Sequence, residues 1–253
     1  MAKEQVSSIS RMIRILECFM DQSREWTLKE IAGEVGLPST TVFRHLSTLT
    51  AEEYLVQDPL RKSYQIGPRF IILAGAIWSQ YDLRQIAKPE LEKLCSEVEE
   101  TINLTLLMEH DVFYLDKVDA VRSIVCSTHI GQRLPAYAAG CGKLLISQQS
   151  DEYIEEYLAW MSTHAKKFTE NTITDPDAMR EALSEIRRSG IGIDLEESEL
   201  GLCCVSAPIY DSRHCVAAIS IAGPNFRMRE RWEDMKAAAR KTADNVSRIL
   251  GYR

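Results

Sequence analysis

Between Ser39 and Ala51 the chain carries no acidic residue, although its 253 residues hold 37 Asp/Glu against 30 Lys/Arg. The segment, STTVFRHLSTLTA, puts Val42, Leu46 and Leu49 on one helical stripe, and Ser39, Thr40, Thr41, Arg44, His45 and Thr48 largely on the others. Just before it, TLKEIAGEVG has Thr27 and Glu30 at capping-box spacing, an inward stripe of Leu28, Ile31, Ala32 and Val35, and Gly36 as a left-handed stop. Leu37 and Pro38 then redirect the chain. Two short helices joined by a glycine-containing turn are the spacing of a helix-turn-helix.

The flanking segments narrow the reading. Upstream, Ile9, Met12, Ile13, Leu16, Phe19 and Met20 recur at offsets of three and four, predicting a first amphipathic helix. Downstream, Tyr54–Val56 and Ser63–Ile66 read as strands around DPLRK, a hairpin with Arg61 and Lys62 at its tip. Three helices and a basic wing predict a winged helix-turn-helix. Its hydroxyls and guanidinium suit phosphate and base-edge contacts in a major groove. Residues 1–69 have nine basic and nine acidic groups, so the excess acid lies in the remainder. A neutral module still binds DNA when its basic groups share one face. On these residues the DNA-contacting set is Ser39, Thr40, Thr41, Arg44, His45, Thr48, Arg61 and Lys62.

From Pro68 to Asp82 the sequence reads as a linker helix, apolar at Phe70, Leu73, Ile77 and Trp78, with an interruption near Pro89 farther on. Such a surface predicts packing against the first helix or a second chain, and thus a dimer. Beyond it, TINLTLLMEHDVFYLDKV predicts a hairpin and RSIVCST a third strand. Helices are expected in AYAAGCGKLLIS, DEYIEEYLAWM, DPDAMREALSEIRRSG and residues 229–250, and paired central strands in CCVSAPIYD and CVAAISIAG. The expected class is α+β, with domains at 1–67, 68–82 and 83–253.

Other chemistries find little footing. The seven cysteines are odd in number, and Cys126-x-x-His129 is a lone half-site, so neither a disulfide framework nor structural zinc is expected. Gly140-Cys-Gly-Lys lacks the spacing of a phosphate loop, and Leu144 stands where a hydroxyl is needed. Gly140 and Gly142 interrupt a helical stretch and mark close approach by something else. Asp194, Glu196, Glu197 and Glu199 crowd a helix-to-strand connection, but no activated nucleophile accompanies them, and no enzyme, cofactor or metal is expected. There is no leader-like start and no apolar run near the ~20 residues a membrane span needs, so the expected location is cytoplasmic. An enzyme that keeps a helical N-terminal domain, and a protein-binding winged helix, are the rival classes.

GLPSTTVFRHLSTL, YQIGPRFIILA, GQRLPAYAAGCGKLL and GIDLEESELGLCCVSAPIYD…CVAAISIAGPNFR together resemble the IclR family of bacterial transcriptional regulators, over about Ser8 to Gly251. The resemblance implies a winged helix-turn-helix, a linker helix and a GAF/PAS-like ligand domain with an antiparallel sheet. It implies operator DNA as partner, a dimer or dimer of dimers, repression, and a small organic acid or sugar acid as effector. It also implies effector contacts at Gly140, Cys141, Asp194, Leu202, Cys204 and Ser220. Three positions depart from the family's pattern: Tyr137 where histidine is common, Cys141 where a smaller residue is common, and Ala222 where some members have serine.

Overall fold

The computed structural model describes residues 7–20, 25–73, 82–124 and 126–252, and its chain divides into two compact units, residues 1–81 and 82–253. In the first, α1 (Ser7–Glu17) passes into a 3-10 turn over Cys18–Met20. A short β1 (Trp26–Thr27) leads into α2 (Leu28–Val35) and α3 (Ser39–Ala51), followed by β2 (Leu55–Gln57) and β3 (Ser63–Ile66). The sheet order is β1-β3-β2, all antiparallel. The capping box forms as the spacing predicts. Thr27 Oγ1 accepts from the Glu30 amide, and the Thr27 amide donates to the Glu30 carboxylate at 2.8 Å. Gly36 ends α2 at φ 64°, where a side chain would be strained.

The core of this unit joins Ile15, Phe19, Trp26, Ile31, Val42, Leu46, Leu49 and Leu55. The buried face of α1 therefore runs through Ile15, Cys18 and Phe19, with Met12 and Leu16 beside it. Ile9 and Ile13, expected on that face, are 51% and 48% exposed. The apolar stripe of α1 is wider than α2 and α3 can cover. After β3, Gly67 sits where a Cβ would lie 2.2 Å from the Glu53 carbonyl oxygen, so the turn out of the wing admits only glycine. Residues 69–73 are helical, and Phe70 packs edge-on against Tyr54 at 5.3 Å, within its own unit. Ile77, Trp78 and most of the expected linker fall outside the described residues.

The second unit starts with α4 (Asp82–Val98). This helix continues through Pro89, where an interruption was expected. Pro89 and Gln85 are exposed, so the carbonyl that loses its proline-side donor faces water and the cost is small. Strands β4 (Thr101–Met108), β5 (Asp111–Val118), β6 (Arg133–Pro135), β7 (Gly192–Leu195), β8 (Leu202–Tyr210) and β9 (Cys215–Pro224) form one antiparallel sheet in the order β6-β5-β4-β9-β8-β7. Between β6 and β7 lie α5 (Gly140–Ser147), α6 (Asp151–His164) and α7 (Pro176–Ser189). The chain ends in α8 (Asn225–Glu230) and α9 (Trp232–Ile249).

Two strand expectations need correction. Within RSIVCST the described residues 122–124 and 126–128 are not strand, and the edge strand beside β5 is Arg133–Pro135 instead. The β-branched run met no free ladder, because Gly131 and Gln132 take the backbone bonds to Tyr114. Conversely Asp194, read as part of a connection, belongs to the edge strand β7 and pairs with Cys204. Its four residues are too few to show a period.

Side-chain alternation gives the sheet two different faces. Ile102, Leu104, Cys203, Val205, Ile219 and Ile221 pack with α4 and α9 through Leu91, Leu94, Ala239 and Val246. The opposite positions hold Asn103, Thr105, Cys204, Ser206, Ser220 and Ala222, all buried. On this side α5 contributes Cys141, Leu144 and Leu145 next to Ala218, and α6 and α7 close over α5. A sheet face lined with small and polar side chains under a helix leaves room that a Leu/Ile face would fill.

Candidate functional site

In the N-terminal unit, α3 buries Val42, Leu46 and Leu49 completely or nearly so. Ser39, Thr40 and Arg44 are exposed, while Thr41 and His45 are half-buried. Pro38 at its N-cap provides no side-chain cap, and the first turn has no acid, so the positive end of α3 is unneutralised. Thr48 donates its hydroxyl to the Arg44 carbonyl at 3.1 Å, one turn back, which occupies its proton within the helix. Sequence reasoning passed over Phe43. It is 51% exposed on the helix and precedes Arg44, an apolar side chain on a polar face.

The wing tip is built by Asp58. Its Oδ1 accepts from the amides of Leu60 (2.7 Å) and Arg61 (2.9 Å), which holds its carboxyl below the ordinary range. Lys62 adopts φ 57° as the strand resumes. Arg61 and Lys62 are both exposed, and Arg61 pairs with Glu25 at 3.1 Å. An exposed pair of this kind is weak and gives way readily to a phosphate.

In the C-terminal unit there is a small cavity of about 100 Å³, and of the six effector candidates Leu202 belongs to its lining. Cys126, Thr128, Leu134, Ala138, Phe168 and Leu202 line its walls, together with Ser198. Leu202 reaches it directly. Cys204 packs with Cys126, Leu202 and Ala222 at its floor. Ser220 is linked to it by a buried chain: Thr128 Oγ1 donates to Asn103 Oδ1 (3.0 Å), and Asn103 Nδ2 donates to Ser220 Oγ (3.3 Å). Among the described residues no acceptor takes the Ser220 hydroxyl proton.

Asp194 is 2% exposed and accepts from the Glu197 amide and the Ser198 hydroxyl, both at 2.7 Å. Burial nevertheless raises its pKa, outweighing those bonds and the field of Lys143. The carboxylate clasps the 196–201 loop, and Ser198 stands between it and the cavity. The Cys204 thiol, hydrogen-bonded to Cys141 and buried, is pushed well above its usual range.

Gly140 and Gly142 do not interrupt a helix, since α5 starts at Gly140. Their small size is used by protein backbone. A Cβ at Gly140 would lie 2.8 Å from the Asp194 nitrogen, and one at Gly142 would lie 2.2 Å from the Ala136 carbonyl oxygen. Tyr137, the position where histidine is common, spends its hydroxyl on the Lys166 carbonyl (3.1 Å) and amide (2.8 Å), anchoring the following loop.

Sequence reasoning missed Asn103, Cys126, Thr128, Phe168 and Ser198. Asn103 left a signal, since Thr101, Asn103 and Thr105 alternate with Ile and Leu in a strand buried on both faces. The others come from loops and carry no period. Among the described residues no group of three or more His, Cys, Asp or Glu could hold a metal ion, and no helix is long and apolar enough to cross a membrane.

A helix-turn-helix with a basic wing, joined in one chain to an α+β domain with a small, mostly apolar pocket, defines a DNA-binding transcriptional regulator. Comparison with known proteins agrees along nearly the whole chain. Residues 8–59 match the IclR helix-turn-helix domain, and residues 75–248 match the C-terminal domain of the bacterial transcriptional regulator IclR. The Acetate operon repressor of Salmonella typhimurium is 32% identical over 98% of this chain and 91% of its own length. The Transcriptional repressor IclR of Escherichia coli is 32% identical over 99% and 92%. The crystal structure of a transcriptional regulator from Rhodococcus sp. RHA1 superposes with a TM-score of 0.85 at 30% identity, covering 98% of this chain and 99% of that one. The chain belongs to the IclR family of bacterial transcriptional regulators, which are DNA-binding proteins and not enzymes.

Proposed function

We propose that this protein is a cytoplasmic operator-binding repressor whose DNA affinity is set by a small organic acid or sugar acid. The effector is held near Gly140, Cys141, Asp194, Leu202, Cys204 and Ser220. The observation that carries the reading is the buried Thr128–Asn103–Ser220 chain beside a cavity of about 100 Å³. Liquid water takes ~30 Å³ per molecule, so the space suits a ligand of a few heavy atoms, favouring a short acid over a six-carbon sugar acid. The Ser220 proton is a donor awaiting an oxygen. Asp194 faces the loop it clasps, and the acidic group in the pocket lining is the exposed, solvent-screened Glu199. Two relatives named as repressors, one of them for the acetate operon, support repression and a short carboxylate.

On this reading residues 1–67 bind DNA, 68–82 link, and 83–253 sense. Ser39, Thr40, Thr41, Arg44, His45 and Thr48 face the major groove, and Arg61 and Lys62 the flanking backbone. The exposed Ile9 and Ile13 of α1 and Ile71 and Ile72 beyond the wing are apolar surface for a homodimer or dimer of dimers. The test is DNA affinity with and without short carboxylates, in wild type and Ser220→Ala. A coupling of about 5- to 150-fold that Ser220→Ala reduces supports the reading. An acid that binds yet leaves DNA affinity unchanged refutes the switch, and a 28.7 kDa species alone in sedimentation at micromolar concentration refutes the dimer.

A further inference from the structure

A second cavity of the C-terminal unit lies apart from the pocket described above. It is a half-open recess of about 550 Å³ between α5, α7, α9 and the edge strand β7. Lys143 and Glu197 belong to its lining, 3% and 6% exposed, and form an ion pair with each other. The pair is incompletely satisfied. Glu197 Oε1 takes the Lys143 ammonium, but Oε2 is buried and has no hydrogen-bond partner among the described residues. A carboxylate oxygen without a donor is among the costliest groups to bury, and its presence calls for an explanation. Burial accordingly raises the Glu197 pKa, against the pull of Lys143.

The rest of the lining indicates what the missing donor belongs to. Glu185, Glu233, Lys236 and Arg240 surround the opening, and with Lys143 and Glu197 they bring three positive and three negative charges to one recess. Such a balance gives no net attraction to a simple anion or cation, but it suits a molecule carrying one charge of each sign. Ile186, Ile191 and Ile193 supply an aliphatic wall. We infer that this recess is a second ligand site, for a free α-amino acid with an aliphatic side chain. Its ammonium meets Glu197 Oε2, its carboxylate the basic groups at the opening, and its side chain the isoleucine wall.

The site shares two elements with the first pocket. Helix α5 carries Cys141 to Cys204 at the first pocket and Lys143 to the recess. The loop after β7 carries Ser198 to the first pocket and Glu197 to the recess, and the Glu197 amide is fixed by Asp194. A ligand that repositions the Lys143–Glu197 pair therefore acts on groups of the first pocket without entering it. The existence of the second site does not depend on the effector reading.

The probe is L-leucine, titrated calorimetrically into the full chain beside its two halves, 3-methylbutylamine and 4-methylpentanoate. Leucine is expected to bind, and each half to lose about tenfold or more in affinity, as removal of a charge-assisted contact requires. Ala237 lines the recess and is exposed, so Ala237→Trp fills the space without disturbing the core, and is expected to abolish binding at unchanged melting temperature. Glu197→Gln turns Oε2 into a donor and is expected to weaken leucine more than 4-methylpentanoate. Ser220→Ala, in the first pocket, is expected to leave leucine affinity intact. Absence of leucine binding at millimolar concentration overturns the inference and leaves Oε2 to an ordered water. So do binding that survives Ala237→Trp, halves that bind as well as leucine, or leucine binding that Ser220→Ala removes.

Discussion

Replacing Asp194 separates the work of its shape from that of its charge. In the structure its two oxygens accept one bond each, from the Glu197 amide and the Ser198 hydroxyl, at 2.7 Å. Asp194→Ala removes both and leaves the buried Glu197 amide without an acceptor. Hydrogen bonds to a charged group contribute about 1.5–3 kcal/mol each, and deleting the carboxylate also removes its own burial cost, so a net loss of about 2–4 kcal/mol is expected. Asp194→Asn keeps the bond from Glu197 through its amide oxygen. Its NH2 donates to Ser198 once that hydroxyl turns round, so the expected loss is under about 1 kcal/mol.

The pH dependence of the same pair has a definite sign. Burial raises the folded pKa of Asp194 above 3.8. Between an unfolded value near ~3.9 and the folded one, the native protein holds a proton that the unfolded chain has released. The contribution of Asp194 is thus fully present below the unfolded value and lost as pH rises through the folded value. The side-chain amide introduced by Asp194→Asn does not titrate. Wild type therefore loses stability relative to that variant as pH rises across the window, and the difference is constant above it. Calorimetric unfolding of the full chain at a series of pH values, read on the transition of the C-terminal unit, measures both effects. An Asp194→Asn protein as unstable as Asp194→Ala at neutral pH, or a difference that moves the other way with pH, refutes the reasoning.

Four further outcomes are expected. Thr27→Ala deletes the capping box of α2 and is expected to cost about 0.5–2 kcal/mol in the N-terminal unit, seen as a lower melting transition there. Gly142→Ala drives a Cβ to 2.2 Å from the Ala136 oxygen, and overpacking of about 1–3 kcal/mol or more is expected in urea unfolding. Arg44→Ala is expected to reduce discrimination between operator and mismatched sites by about 1–3 kcal/mol in competition binding, if Arg44 pairs with guanine. Phe43→Ala is expected to erase the preference of the selected binding site for thymine over uracil, since those bases differ only in the methyl group an apolar side chain contacts.

What the sequence determined by itself is what local physics repeats along the chain. The Thr27–Glu30 box, the left-handed Gly36 and the Val42/Leu46/Leu49 stripe each need only neighbours within a few residues, and each is present in the folded unit. The paired strands β8 and β9 were legible because their apolar runs are long. Which apolar groups of α1 become buried was not legible, because periodicity marks a stripe but not how much of it two short helices can cover; Ile9 and Ile13 stay exposed. The pocket was legible only in part. Asp194, Leu202, Cys204 and Ser220 were expected through resemblance; Leu202 lines the small cavity, and the other three connect to it only through its lining residues. The roles of Gly140 and Tyr137 were decided by contacts with Asp194 and Lys166, 54 and 29 residues away in the chain. Thr128, joined to Ser220 through Asn103, and the second recess with its half-satisfied Glu197, exist only because the sheet order β5-β4-β9-β8-β7 sets distant segments side by side. No window of sequence contains such a juxtaposition, since closing the loops between those strands is the work of the whole core.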